Sequence, residues 1–189
     1  MKLKKMPRRG WLGAIIGVLG LSAGVRAQGL FDKPIIHNVA RGEADAVRRD
    51  LLKGENPNQT DERRTPMLIT AVSKGHIAIV EMLLKAGAVV DGVDSDHRTA
   101  LMWAAERDDI DVAQLLLSRN PRVNLQDRQG VTALIAAARR GSAEIVRALL
   151  TRKADPNIAD FTGRTALSYA VRNNRHAIAS LLRAAGGKE

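Results

Sequence analysis

The stretch "DRQGVTALIAAARRG", Asp127 to Gly141, combines a turn, an apolar helix and a basic pair, Arg139-Arg140. Taken alone it does not say which residues build a scaffold and which do a job. It returns, altered, at a fixed distance. Ala71, Ala104, Ala137 and Ala170 are evenly spaced, and Asp61, Asp94, Asp127 and Asp160 keep the same interval. So do Leu83, Leu116, Leu149 and Leu182, and so do Asn58, Asp91, Asn124 and Asn157. Gly75 and Gly141 alternate with Asp108 and Asn174 at one register. Gly42, Val47 and Gly54 precede Gly75, Val80 and Gly87 by that interval again, a weaker first copy. A fixed period of this length implies a stack of small units, since one such unit cannot bury its apolar face alone.

Each unit reads as a short helix, a turn, a longer helix and a polar loop. Ile77, Val80, Leu83 and Leu84 are expected on one face of a helix by their spacing. Alanine pairs such as Ala104-Ala105 let neighbouring first helices approach closely. Aromatics are only 3% of the chain, which favours packed helices over a β-sandwich.

These residues resemble the ankyrin repeat. Its Thr-Pro-Leu-His-x-Ala signature is matched by "TALMWAA" (Thr99–Ala105), "TALIAAA" (Thr132–Ala138) and "TALSYAV" (Thr165–Val171). In "TPMLITAV" the alanine register puts Pro66, not Thr65, at the threonine position, so that hairpin is expected to be altered. The resemblance implies an all-α solenoid of about five stacked helix-turn-helix units joined by β-hairpin loops. The units fall at about 33–65, 66–98, 99–131, 132–164 and 165–189. The end units read as caps: the first has His37 and Asn38 at helix-face positions beside Phe31, and the last closes on "LLRAAGGKE". The array is expected to fill 33–189, with no second domain.

The first 27 residues read as an address. "MKLKKMPRRG" is basic and "WLGAIIGVLGLSAG" apolar, and Val25 and Ala27 offer small residues for a cut that leaves Gln28 first. That order is a secretory signal peptide. The uncharged run Gly10 to Val25 has 16 residues, five of them glycine. A spanning helix wants about 20, so an uncleaved anchor is the lesser reading. Arg8-Arg9 also resembles a twin-arginine export motif, though Pro7 and Gly13 depart from its flanks. Residues 28–32 are a short lead-in.

Net charge is +10, but six of those charges lie in residues 1–27 without an acid, leaving +4 for the rest. A nucleic-acid partner loses support accordingly. There is no cysteine, so disulfides and thiolate chemistry are excluded. The four histidines lack metal-site spacing, and Ser, His and Asp positions are scattered or repeat with the period. No catalytic residue, cofactor or metal is expected. "NQT" at Asn58–Thr60 reads as an accident of a repeat loop rather than a glycan acceptor.

A residue that recurs in register is explained by what every unit needs. The four aspartates read as four equivalent turns, since such a carboxylate bonds the backbone that follows it. Residues that vary are free of that burden. The resemblance implies that partners bind a concave face of hairpin tips and first-helix ends. The tips are Glu62-Arg63, Ser95-Asp96, Arg128-Gln129 and Phe161-Thr162. The candidate partner-binding residues are Lys74, Arg98, Arg107, Arg128, Arg139, Arg140, Phe161, Arg164 and Arg172. Arginine suits bidentate contact with carboxylates, and Phe161 is the candidate aromatic anchor. Trp103 and Tyr169 read as core filler. The expected function is therefore an exported, monomeric binding module of the periplasm, holding an acidic protein partner and touching membrane only if its signal stays uncleaved. The alternatives are a salt-sensitive binder of an anionic envelope surface or polymer, or a solvated charged face.

Overall fold

The computed structural model describes residues 34–189. The expected signal peptide, the lead-in and Phe31 lie outside the described residues. Ten α-helices follow in pairs: α1 (Pro34–Arg41) and α2 (Ala44–Leu52), α3 (Met67–Lys74) and α4 (Ile77–Lys85), α5 (Ala100–Arg107) and α6 (Ile110–Leu117), α7 (Ala133–Arg140) and α8 (Ala143–Thr151), α9 (Ala166–Arg172) and α10 (His176–Ala184). The first helices stack as α1, α3, α5, α7, α9, and the second helices as α2, α4, α6, α8, α10. This is the expected all-α solenoid. Three of the hairpins between units are reduced to single bridges, Thr60 with Pro66, Val93 with Thr99 and Ala159 with Thr165, and the one at Asp127 keeps only its turn bonds.

The core follows the sequence registers. Ala71, Ala104, Ala137 and Ala170 are fully buried, and so are Leu83, Leu116, Leu149 and Leu182. The alanines set how closely first helices stack, and the leucines fill the layer between first and second helices. Ile77 departs from expectation. It is 43% exposed, while Ile79, Val80, Leu83 and Leu84 form the buried face of α4. At about 100° per residue, Ile77 lies roughly 90° from the middle of that face.

The backbone shows the period more sharply than the side chains do. Among the described residues, left-handed conformations fall on three registers: 42, 75, 108, 141, 174; then 54, 87, 120, 153, 186; then 64, 97, 130, 163. The first register ends each first helix, the second follows each second helix, and the third turns each hairpin. The alternation of Gly75 and Gly141 with Asp108 and Asn174 is thus one backbone requirement met by residue types that tolerate positive φ.

Thr99, Thr132 and Thr165 are N-caps whose side chains accept from the amides of Met102, Ile135 and Ser168. Pro66 cannot do this, and α3 has no side-chain cap. The hairpin is altered only beyond its turn, where Met67 N donates to Gln59 O at 3.1 Å, a bond with no counterpart at Ala100, Ala133 or Ala166. Asp61 Oδ1 accepts from the amides of Arg63 and Thr65, as the other three aspartates do in their turns. Proline changes the cap and leaves the turn, because the turn bonds all lie before it.

The first unit holds together partly by polar contact, with Asn38 Nδ2 donating to Asp50 Oδ2 at 2.8 Å between α1 and α2. No helix among the described residues is long and apolar enough to cross a membrane.

Candidate functional site

The aspartate ladder sets the hairpins. Oδ1 of Asp94 accepts from the amides of Asp96 and Arg98 at 2.9 Å each. Asp127 does the same for Gln129 and Val131, and Asp160 for Thr162 and Arg164. Each turn therefore has one rigid shape and presents its two tip residues outward. Neighbouring tips are tied by backbone bonds, Arg128 N to Asp96 O and Phe161 N to Gln129 O, both 2.9 Å. The Asn58/Asp91/Asn124/Asn157 register ties units together. The side-chain oxygens accept from the amides of Val89, Arg122, Asp155 and Lys188, each 31 residues on. One side of every unit is thus locked to the next, and the last three tips form a continuous edge.

The ladder has a second role that sequence reasoning missed. Asp94 Oδ2 accepts from the Trp103 indole at 2.9 Å, and Asp160 Oδ2 from the Tyr169 hydroxyl at 2.6 Å. Trp103 and Tyr169 pack on the edge of the core but are only half-buried, so they are not simple filler. They stand on first helices, facing the hairpins. The signal was present in the chain: aspartate, arginine four residues on and an aromatic five further recur as Asp94, Arg98, Trp103 and as Asp160, Arg164, Tyr169. Burial disfavours the charged form of Asp94, but bonds from the Arg98 amide, the Trp103 indole and the Asp96 amide, with the Arg98 charge, hold its carboxyl below the usual range.

Asp160 is shifted further. Burial works against its charge, yet the hydroxyls of Thr162 and Tyr169 and the amides of Arg164 and Thr162 outweigh that and lower its pKa to about 2. A carboxyl whose folded pKa is depressed adds stability that is complete above its unfolded pKa and lost as pH falls through the folded one. A shift of this size is worth about 2 kcal/mol. Asp160→Asn should therefore be destabilised by about that much near neutrality. The gap should close as pH drops from about 5 toward 2. Urea titrations of both proteins across that range check this, and a gap independent of pH would refute the charge argument.

The nine candidate residues divide by environment. Arg98 is half-buried and heavily engaged. Its guanidinium lies 3.8 Å from the centre of the Trp103 ring, with Asp94 at 3.2 Å, Glu106 at 3.6 Å and Asp96 at 3.8 Å. Arg107 reaches back one unit and donates to Ser73 O at 3.0 Å, where a cation suits the carbonyl end of α3. Both have structural employment.

The others remain outward. Lys74, Arg128, Arg139, Arg140, Arg164 and Arg172 are exposed and enter no ion pair among the described residues. Arg139 and Arg140 border a recess of about 210 Å³ with Glu106 and Ala136, so α5 and α7 share this surface. Arg139 and Arg164 converge on Tyr169, 5.4 and 6.0 Å from its ring centre. Phe161 is 75% exposed at its tip. Lys74 stands apart at the end of α3, two units from this group. No cluster of metal-ligating side chains occurs among the described residues.

Comparison with known proteins agrees with this layout. A family model described as ankyrin repeats (3 copies) matches residues 35–127 and again 120–188. Ankyrin repeat protein FPV222 of Fowlpox virus (strain NVSL) is 35% identical over 71 residues, which is 36% of this chain and 10% of that protein. The chain thus spans only a small part of that relative's length. Ankyrin repeats form protein–protein interaction modules and are generally non-catalytic. With matches that run through all five helix pairs and a turn ladder that keeps the period of the chain, this protein belongs to the ankyrin repeat family.

Proposed function

We propose that this chain is exported to the periplasm and holds an acidic segment of a protein partner on the face made by the hairpin tips and the ends of the first helices. One observation carries the reading. Five exposed arginines, Arg128, Arg139, Arg140, Arg164 and Arg172, lie on the hairpin tips and first-helix ends from the third hairpin onward, two of them beside the Tyr169 ring, and enter no ion pair among the described residues. Planar guanidinium groups suit carboxylates. Phe161 adds an apolar contact of the kind that anchors interfaces. A rigid tip edge lowers the ordering cost of binding. Export rests on the basic, apolar and small-residue order of residues 1–27.

The experiment is affinity capture from bacterial envelope extract, with protein starting at Gln28 as bait. An Arg139→Glu/Arg140→Glu/Arg172→Glu bait with unchanged helical signal and melting serves as control. A discrete protein retained by the first bait and lost by the second is expected. The same protein on both would sink the arginine reading. Salt-sensitive retention of envelope polymer without a protein client would favour the anionic-surface alternative, since charge-field binding weakens steeply with ionic strength. Export is checked by N-terminal sequencing of protein recovered from the periplasm, where a first residue of Gln28 is expected.

A further inference from the structure

Counted together with the hairpin that leads into each, the third and fifth units carry the same triad in two electrostatic settings. In the third, Asp94, Arg98 and Trp103 form a stack in which Arg98 is ringed by carboxylates from Asp94, Asp96 and Glu106. In the fifth, Asp160, Arg164 and Tyr169 occupy the same registers, two periods on. The register of Asp96 is now Thr162 and that of Glu106 is Arg172. Asp160 does not replace them. Its Oδ2 accepts from the Tyr169 hydroxyl and its Oδ1 from Thr162 and two amides. Arg164 keeps its place near the aromatic ring and makes no ion pair among the described residues, and Arg139 from the fourth unit approaches the same ring.

The chain thus contains its own example of what this arrangement binds. We propose that Arg164, Arg139 and Tyr169 form a carboxylate receptor, in which an Asp or Glu side chain of the partner takes the place that Asp96 and Glu106 hold around Arg98. The proposal rests on the reading above that a protein partner lies on this face, and it names where that partner's acid sits. Tyr169 is the platform: its ring is fixed by the bond to Asp160, and guanidinium groups near an aromatic face are held by its quadrupole. Two guanidinium groups beside one ring then present several N–H donors to a carboxylate. The third unit is self-satisfied, so it does not compete for the ligand.

Tyr169 is the only tyrosine in the chain, so its ring signals in NMR report this place and no other. That locality matters because the basic N-terminal stretch also attracts anions. The full chain is titrated with hexaglutamate, and separately with polyphosphate. Saturable movement of the Tyr169 ring signals by hexaglutamate is expected, weakened about tenfold by Arg164→Gln. Thr162→Asp/Arg172→Glu, which rebuilds the third unit's cage in the fifth, should abolish it. The converse change, Asp96→Thr/Glu106→Arg, should free Nη1 and Nη2 of Arg98, leaving only Nε on Asp94, and make the Trp103 indole signal respond as well, a gain that misfolding does not mimic. If hexaglutamate moves amide signals elsewhere on this face but leaves Tyr169 still, the receptor is refuted and the acidic-partner reading stands. If nothing on this face responds to hexaglutamate, or only polyphosphate does, that reading falls too.

Discussion

Leu116→Ala is expected to lower stability by about 2–5 kcal/mol, among the largest losses open to a single side chain here. Leu116 is fully buried in the last turn of α6, the second helix of the central unit. Its helix packs on α5 within the unit and on α4 and α8 of the neighbouring units. Truncation removes apolar area and leaves a cavity. The flanking helices cannot easily close it, because bonds 31 residues apart tie each unit's loop to the next. A central position matters for a second reason. Stability in a stacked array is roughly the sum of unit and interface contributions, so a weak central unit loosens two interfaces at once. Urea unfolding should therefore show a lower midpoint together with a reduced slope, as the halves begin to melt apart. Leu52→Ala, on a side chain 82% exposed, is the control and should stay within about 0.5 kcal/mol. A loss below about 1 kcal/mol at Leu116 would contradict the close-packed core described above.

Gly130→Ala and Gly163→Ala should separate backbone strain from crowding. Both glycines have φ of 80° at the same turn register. A Cβ on Gly163 would meet nothing within 4 Å. Its substitution should therefore cost only the left-handed penalty, about 1–2 kcal/mol. A Cβ on Gly130 would lie 2.7 Å from Phe161 Cδ1 and 2.8 Å from the Phe161 amide nitrogen. The ring could swing aside, but the amide could not, because it is bonded to Gln129 O. Gly130→Ala should cost a further 1–3 kcal/mol, roughly the overpacking range, and should displace the tip that carries Phe161. Equilibrium unfolding of the two variants checks this. Equal losses would mean that neighbouring tips do not press together in solution. Since that contact positions Phe161, the comparison also tests the geometry of the candidate partner face.

Much of the fold could be read in the chain because the same physical demand was written several times. The alanine and leucine registers mark closest approach and core filling, and every member is fully buried. The aspartate register marks a turn, and all four carboxylates make the expected bonds. Single copies were less informative. Ile77 looked like a core residue because one helix's spacing leaves the centre of the face undefined. Pro66 suggested an altered hairpin because a one-residue departure does not say whether it falls inside the turn or just after it. Trp103 and Tyr169 occur in two units of five, too few for their partnership with the ladder to stand out from variation.

By itself, then, the sequence determined the architecture, since a periodic repetition of turn, helix and loop has one economical way to bury its apolar faces. It also determined which residues are scaffold, since these recur with the period. Only the tertiary structure decided which cations remain outward. Arg98 and Arg164 share a register, a preceding aspartate and a following aromatic, yet one is ringed by carboxylates and the other is exposed. Arg107 lies one residue from Glu106 and turns its charge to a carbonyl of the previous unit. A long arginine side chain has several partners within reach on neighbouring units. Which of them it meets depends on distances across the stack, and those are set by packing that no single repeat contains.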